Sequence, residues 1–234
     1  MTARIAVLAS GGGSNLQALL DHLAALGDAR GGDVVLVASN RRDAAALDRA
    51  RVRGIAAEYL ADPTDGPRLA ALLRAHEVSL VALAGYLKLV PAEVTAGWSD
   101  RVFNVHPALL PSFGGPGMYG RRVHEAVLAH GARVTGATVH LVDERYDEGR
   151  ILAQWPVPVM PDDTAPALAA RVLRVEHLLY PRVIDAVAAG RLSVTRPAAA
   201  IDDASGAGAC FDFARHAAPS GRSIDALLTP SFTP

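Results

Sequence analysis

The chain has very little cysteine and lysine. Cys210 is the only cysteine among the 234 residues, and Lys88 is the only lysine. A single cysteine cannot form an intramolecular disulfide, and a zinc site built from several cysteines is excluded. The scarcity of cysteine favours a reducing compartment, so we expect a cytoplasmic protein that needs no metal.

The chain also lacks a long hydrophobic run and a strong net charge. The longest apolar stretch, Val78 to Val90, is interrupted by Gly85 and Lys88, and it is shorter than the roughly 20 residues that a membrane-spanning helix needs. The formal net charge is -1, which gives no general attraction to nucleic acid or to anionic lipid. We therefore expect small-molecule partners, with no nucleic acid and no membrane.

The composition divides the chain into two regions. Residues 1–195 have the apolar and charged content of an ordinary globular domain and are numerous enough to bury one core. From residue 196 to residue 234 the chain is rich in Ala, Pro, Ser, Gly and Asp, with Phe211, Phe213 and Leu227 scattered among them. We predict a domain over 1–195 and a low-complexity C-terminal tail over 196–234 that is disordered or docked on the domain.

Short runs rich in Val, Ile and Leu alternate with helical patterns along the domain. Leucines recur at helical spacing from Leu16 to Leu23, and a long helix is predicted over 164–189. This alternation predicts an α/β fold, with a Rossmann-like, mostly parallel, twisted sheet and helices on both faces. The predicted strands are residues 4–9, 33–39, 56–60, 80–84, 101–106, 134–142 and 151–159.

A glycine-rich segment, Ser-Gly-Gly-Gly-Ser-Asn at 10–15, joins the first predicted strand to the first helix. Free amides at a helix start attract phosphate or carboxylate, and glycine lets the backbone approach the ligand. The segment lacks the Lys-Ser/Thr pair of a Walker A sequence, and Asn15 and Leu16 replace the third glycine of a dinucleotide fingerprint. We interpret it as a cradle for a terminal phosphate; the alternative is a flexible turn in which Ser14 or Asn15 caps the helix.

The end of the fifth predicted strand reads Phe-Asn-Val-His-Pro, residues 103–107. Strand alternation puts Asn104 and His106 on one face. An amide can donate to a developing oxyanion while an imidazole transfers a proton near neutral pH, so this pair suits acyl chemistry. The alternative is that His106 is a structural histidine.

The third candidate element is the acidic segment 143–149, between the last two predicted strands. Such a run is usually a solvated hairpin tip. A carboxylate in this segment could instead orient His106 and stabilise its protonated form. The residues alone leave both interpretations open.

In this order, the motifs SGGGSN, AGYLKLVP, FNVHPALLP, GATVH, YDEG and RVLRVEH resemble those of the phosphoribosylglycinamide formyltransferase family, which belongs to the folate-dependent formyltransferase superfamily. The resemblance covers about residues 4–194. It implies the formyltransferase type of Rossmann-like fold. It also implies a catalytic trio of Asn104, His106 and Asp147, in which His106 is the general acid and Asp147 raises its pKa.

The resemblance further implies two binding regions. One holds the phosphate and the glycinamide end of the substrate, and it consists of Gly12, Gly13, Ser14, Asn15 and Glu176. The other binds folate, and it consists of Leu87, Lys88, Leu89, Val90, Asn104, Asp143, Glu144, Arg145, Tyr146 and Asp147, with Arg68 as the candidate replacement for an arginine that holds folate in other members.

The implied reaction transfers the formyl group of 10-formyltetrahydrofolate, the co-substrate, to the amine of glycinamide ribonucleotide in purine synthesis, without a metal. One alternative is a 10-formyltetrahydrofolate hydrolase, which shares the catalytic trio. Another is a non-catalytic folate or nucleotide sensor. We expect a monomer or a homodimer.

Overall fold

A seven-stranded sheet forms the centre of the fold in the computed structural model, which describes residues 2–194. Its order is β3-β2-β1-β4-β5-β6-β7. Strands β1 to β5 are parallel to one another, and β6 and β7 are antiparallel to their neighbours. The strands are β1 Ala3–Leu8, β2 Gly32–Ser39, β3 Ala56–Tyr59, β4 Leu80–Leu83, β5 Val102–His106, β6 Val134–Leu141 and β7 Ile151–Pro158. The mostly parallel α/β fold is confirmed, and each strand ends within one residue of its predicted bounds.

Helices cover both faces of the sheet, as predicted. The α-helices are α1 Ser14–Leu26, α2 Ala45–Val52, α3 Gly66–Ala75, α4 Ala92–Gly97, α5 Arg121–Ala129 and α6 Ala165–Ala188, and a short 3-10 helix spans Gly27–Ala29. One hydrophobic cluster combines α1, α2, α5 and α6 with one face of the sheet. The other combines α3 and α4 with the opposite face. Leucine, valine and alanine side chains from these helices fill the two cores.

The chain reverses its direction of travel across the sheet between β1 and β4. From β1 it runs outward to β2 and β3, and it then returns to pair β4 with the other side of β1. A crevice forms outside the carboxyl ends of strands at such a switch point, and ligands bind there. Ser10 joins the two sides, because its N–H donates to the Gly85 carbonyl over 3.0 Å and its Oγ accepts from the Leu87 N–H over 2.9 Å.

Helix α6 fixes the wall of this crevice. Its N-terminus is capped by Thr164, whose side chain accepts a hydrogen bond from the Ala167 N–H. Further along, the buried Tyr180 hydroxyl donates to the Phe103 carbonyl of β5 over 3.0 Å. The Tyr180 contact holds α6 against the strand that carries Asn104 and His106.

The predicted tail over 196–234 lies outside the described residues, so its order or docking stays a prediction. Among the described residues, both hydrophobic clusters are built from residues between Ile5 and Leu192, and the composition of 196–234 offers little apolar surface to add to them. A protein that ends at Thr195 should therefore unfold within about 2 °C of the full chain, a change smaller than 1 kcal/mol would produce. The measurement is thermal unfolding followed by circular dichroism. Insoluble protein, or a fall of roughly 8 °C or more, would show that the Phe211 or Leu227 region packs on the domain.

Candidate active site

A cavity of about 790 Å³ opens at the carboxyl ends of β4 and β5. Its walls come from the segments after these strands, the loop before α5, the loop between β6 and β7, and α6. The fold thereby brings together most of the residues that the sequence predicts to be functional. The predicted residues that line the cavity are Asn15, Leu87, Lys88, Leu89, Val90, Asn104, His106, Arg145, Tyr146, Asp147 and Glu176.

Some predicted residues do not line the cavity. Gly12, Gly13 and Ser14 directly precede Asn15 in the chain, whereas Asp143 and Glu144 belong to the β6–β7 loop. Asp143 accepts a hydrogen bond from the Arg145 N–H over 2.9 Å, as aspartate commonly does in turns. Glu144 is exposed. These two carboxylates therefore shape the loop that carries Asp147 and do not face the cavity.

Arg68 is not among the residues that line the cavity, so its contact with folate stays a prediction. Helix α3 buries Leu69 and Leu73 against the sheet, and Arg68 lies on the exposed side of the helix. The cationic residues that line the cavity are Lys88, Arg121 and Arg145. A ligand carboxylate in this cavity would meet one of these three side chains.

The glycine loop ends in a conformation that favours glycine. Gly13, the N-cap of α1, has φ 69° and ψ 35°, in the left-handed region. A Cβ at this position would lie 2.9 Å from both Cα and Cβ of Ala46. Ser14 and Asn15 lie inside α1, and no side chain makes a capping hydrogen bond. The alternative interpretation of a turn capped by Ser14 or Asn15 is therefore wrong.

The amides at the start of α1 are free. The N–H groups of Gly12, Gly13, Ser14 and Asn15 donate to no acceptor within residues 2–194. A left-handed residue followed by a helical one turns successive N–H groups into one concavity, and the helix dipole adds positive potential. The loop is thus built to bind an anion.

Asn15 connects this loop to a buried carboxyl group on α6. Its Nδ2 donates to Oε2 of Glu176 over 2.7 Å. Burial raises the pKa of Glu176 to about 7, and the bond from Asn15 opposes that shift. The Oδ1 atom of Asn15 is buried and has no hydrogen-bond partner within the described residues. Asn15 and Glu176 can therefore accept hydrogen bonds from a ligand amine or hydroxyl.

His106 lies at the floor of the cavity with both ring nitrogens near protein acceptors. Its Nε2 is 2.9 Å from the Phe113 carbonyl oxygen, and its Nδ1 is 3.5 Å from Oδ2 of Asp147. A carbonyl only accepts, so Nε2 carries the proton of the neutral ring. A second proton would go to Nδ1, facing Asp147.

The expectation that His106 stays protonated near neutral pH needs correction. Burial lowers the pKa of His106 below its ordinary value, and the attraction of Asp147 raises it by less. The effect of Asp147 thus has the predicted direction, but desolvation is larger because His106 is only 3% exposed. The ring is neutral until a further negative charge arrives.

Asp147 sits between two imidazoles. Its Oδ2 accepts from the Gly115 N–H over 2.9 Å, and its Oδ1 is 3.5 Å from Nε2 of His140. Burial acts to raise the pKa of Asp147, but His140, His106 and the Gly115 amide together hold that pKa below its ordinary value. Asp147 is therefore a carboxylate throughout the neutral range.

His140 is a functional candidate that the sequence analysis did not single out. It pairs with Asn104 across the antiparallel β5–β6 ladder. Its Nδ1 donates to the Leu141 carbonyl over 2.7 Å, and its Nε2 lies 3.1 Å from Asn104 Nδ2 and 3.5 Å from Asp147 Oδ1. This contact fixes the Asn104 amide and leaves its second N–H available to a ligand. The strand register that creates it was not readable from the spacing of the motifs.

His124 of α5 is a second such residue. It lines the cavity, is 4% exposed, and its Nδ1 has no hydrogen-bond partner within the described residues. Burial lowers the pKa of His124, and the positive charge that His106 can carry lowers it further. His124 therefore stays neutral when His106 takes up a proton.

The outer part of the cavity combines exposed apolar side chains with cations. Leu87, Leu89, Tyr119 and Tyr146 line the cavity and keep 40–48% of their surface exposed. The Arg122 guanidinium lies 5.2 Å from the centre of the Tyr119 ring. Large apolar surface left open in a pocket marks a binding site for a flat or aromatic ligand. A folate, with its fused rings and terminal carboxylates, fits this composition.

The described residues offer neither a metal site nor a membrane span. Within 2–194, no three His, Cys, Asp or Glu side chains are grouped so that they could hold a metal ion. No helix in this part of the chain combines the length and the apolar character needed to cross a membrane.

Comparisons with known proteins agree on one family. The formyl transferase family matches residues 3–184. A chloroplastic phosphoribosylglycinamide formyltransferase of Vigna unguiculata is 46% identical over 195 residues, covering 81% of this chain and 62% of the relative. The chain therefore spans less than two thirds of that curated relative's length.

Solved structures show the same likeness over a larger share of the relative. The glycinamide ribonucleotide transformylase 1 of Symbiobacterium toebii is 41% identical, with a TM-score of 0.75, over 82% of this chain and 90% of that one. A formyltetrahydrofolate deformylase of Pseudomonas syringae is 25% identical, with a TM-score of 0.72, over 82% of this chain and 63% of that one. The chain belongs to the formyl transferase family, in its phosphoribosylglycinamide formyltransferase branch.

Proposed function

We propose that the protein transfers the formyl group of 10-formyltetrahydrofolate to the amine of glycinamide ribonucleotide, a step of purine synthesis. One observation carries the proposal. The free amides of Gly12 to Asn15 adjoin the same cavity as Asn104, His106 and Asp147. An anion cradle beside an acyl-transfer centre suits a phosphorylated acceptor. The products are formylglycinamide ribonucleotide and tetrahydrofolate.

The phosphate end positions the acceptor. The phosphate would bind the amides of Gly12 to Asn15, and a hydroxyl or amine of the acceptor would donate to Asn15 Oδ1 or to Glu176. Holding both ends converts a bimolecular encounter into a local one, which can lower the barrier by several kcal/mol. The outer cavity around Leu87, Lys88, Leu89 and Tyr146 would hold the folate.

Asn104 and His106 act on the formyl oxygen. The free N–H of the Asn104 amide donates to the negative charge that develops there. The His106 Nε2–H, which the Phe113 carbonyl accepts in the free protein, transfers its bond to this stronger acceptor. The developing charge raises the proton affinity of His106, and Asp147 stabilises the resulting imidazolium at Nδ1.

The protons must balance as the formyl group moves. The attacking amine loses a proton, and the folate nitrogen gains one when its bond to the formyl carbon breaks. Asp147 and water assist proton removal from the amine, and His106 delivers a proton to the folate nitrogen. His140 orients Asn104 and shares Asp147 with His106, so the four side chains act as one unit.

The same site fits two other functions, hydrolysis and sensing, less well. A hydrolase, the activity that the name of the Pseudomonas syringae relative indicates, would use the same trio but has no use for free amides that attract a phosphate. A sensor would need neither Asp147 between two imidazoles nor the oriented Asn104 amide. Both features favour transfer. The cytoplasmic location and the choice between monomer and homodimer stay predictions.

The proposed function is tested by incubating the purified protein with 10-formyltetrahydrofolate, with and without glycinamide ribonucleotide. Tetrahydrofolate should form only when the acceptor is present, and mass spectrometry should detect the formylated ribonucleotide in equal amount. Folate turnover at the same rate without acceptor would identify a hydrolase. Binding of both ligands without turnover would identify a sensor.

The charge of Asp147 is tested by Asp147→Asn. The substitution keeps the size and removes the attraction that favours the His106 imidazolium, so the pKa of His106 should fall and the activity loss on the alkaline side should move to lower pH. We expect kcat at neutral pH to fall about a hundredfold. Asp28→Asn is the matched control, because it makes the same chemical change at an exposed residue that does not line the cavity. Equal kcat in both variants would reduce Asp147 to a structural role.

Glu176 makes stability depend on pH. Because burial raises the pKa of Glu176 to about 7, the folded state keeps the proton that the unfolded chain releases near pH 4.5. Stability is therefore lost as the pH rises between these values. Glu176→Gln should gain about 2 kcal/mol of unfolding free energy relative to the original chain between pH 5 and pH 8. Chemical denaturation measures this, with the exposed Glu58→Gln as control. A pH-independent difference would contradict the assignment.

A further inference from the structure

Three successive carbonyl groups of the glycine loop are held by donors from helices. The Gly11 carbonyl accepts from the Ala46 N–H over 3.1 Å, and the Gly12 carbonyl accepts from the Arg49 Nε–H over 2.8 Å. The Gly13 carbonyl accepts from the Gln17 N–H over 2.9 Å. Helix α2 therefore supplies two of the three donors, and one of them is a charged side chain.

This arrangement decides where the amides point. In a trans peptide the C=O and the next N–H project in opposite directions. Because Arg49 holds the Gly12 carbonyl, the Gly13 N–H points away from Arg49; the Ala46 contact does the same for the Gly12 N–H. The two amides are thus aimed away from α2 before any ligand arrives. Gly13 also packs against this helix, since its Cβ would lie 3.4 Å from Arg49 Cδ.

Arg49 itself is fixed by α1. Its Nη1 donates to Oε1 of Gln17 over 2.9 Å, and Gln17 Nε2 donates to Oδ1 of Asp21 over 2.8 Å. Asp21 also accepts from Arg53 over 2.5 Å. The guanidinium is therefore clamped between a loop carbonyl and a side-chain amide.

No carboxylate neutralises Arg49 among the described residues. The neighbouring aspartates have arginines of their own: Asp21 pairs with Arg53, and Asp48 pairs with Arg51. Arg49 contacts only the neutral acceptors of Gly12 and Gln17. Arg49 is half-buried and no carboxylate within 2–194 neutralises it, so it adds positive potential to the loop. A phosphate dianion bound to the loop would compensate this charge.

We propose that Arg49 is a positioning residue for the phosphate group of the acceptor: it orients the amides of the glycine loop and supplies their uncompensated positive charge. The inference deepens the proposed function and rests on a phosphorylated acceptor. Arg49 does not touch the reacting atoms, so it acts on binding and leaves the chemical step to Asn104 and His106.

The test compares Arg49→Gln and Arg49→Lys with the original chain. Isothermal titration measures the Kd of glycinamide ribonucleotide and of the same compound without its phosphate. Arg49→Gln should weaken binding of the phosphorylated ligand about tenfold, and binding of the unphosphorylated one should change less than about twofold. Arg49→Lys keeps the charge and one hydrogen bond. Its Kd for the phosphorylated ligand should therefore lie between those of the original chain and of Arg49→Gln. The KM for glycinamide ribonucleotide should follow the Kd, with kcat and the KM for formylfolate unchanged.

Arg51→Gln is the matched control, because Arg51 lies on the same helix and pairs with the exposed Asp48. It should change neither Kd. Equal weakening of both ligands by Arg49→Gln, or an unchanged Kd for the phosphorylated one, would overturn the proposal. If Arg49→Gln does not fold, Arg49→Lys serves as the test. Its Kd for the phosphorylated ligand should then rise more than its Kd for the unphosphorylated one.

Inorganic phosphate separates this inference from the proposed function. It should raise the thermal unfolding temperature of the original chain and of Arg51→Gln, and raise that of Arg49→Gln less. If the original chain responds to phosphate in this way but does not formylate glycinamide ribonucleotide, the proposed function fails and the role of Arg49 stands. An equal response in Arg49→Gln would refute that role.

Discussion

The site depends on one topological constraint, the pairing of β1 with both β2 and β4. Because the chain reverses direction at that point, the segments that leave β1 and β4 diverge and open a crevice. The glycine loop after β1, the apolar segment after β4 and the Asn-x-His pair at the end of β5 then face one another. Residues far apart in the sequence thereby share a cavity, and α6 closes it through Glu176 and Tyr180.

The two ends of the crevice differ in their electrostatics. At one end, backbone amides and Arg49 provide positive potential for a phosphate. At the other end, the Asp147 carboxylate faces both His106 and His140. Desolvation keeps His106 neutral in the free protein, and the charge that develops during transfer would reverse that preference. Because His106 takes up a proton only while the substrate reacts, the free protein does not bear the free-energy cost of desolvating a buried imidazolium.

The sequence predicted the strands, the long helix and the position of the site because hydrophobic periodicity and strand-end motifs depend on local spacing. Resemblance contributed Asp147 and Glu176, whose roles local patterns leave open. The sequence missed His140 because its contact with Asn104 depends on the register of an antiparallel pair, and it missed His124 because a single histidine on an amphipathic helix has no distinctive pattern. Arg68 was chosen from its place in the chain; it lies on the exposed side of α3 and does not line the cavity. Contacts that depend on register and helix orientation require the three-dimensional structure.

The central claim is that one cavity holds a phosphorylated acceptor and a formylfolate in a fixed relative orientation. A crystal structure of the protein with glycinamide ribonucleotide and an unreactive folate analogue tests it most directly. The account predicts the phosphate on the amides of Gly12 to Asn15, the folate against Leu87 to Val90, and the acceptor amine beside Asn104 and His106. A phosphate bound instead by Lys88, Arg121 or Arg145, with the glycine loop free of ligand, would contradict it.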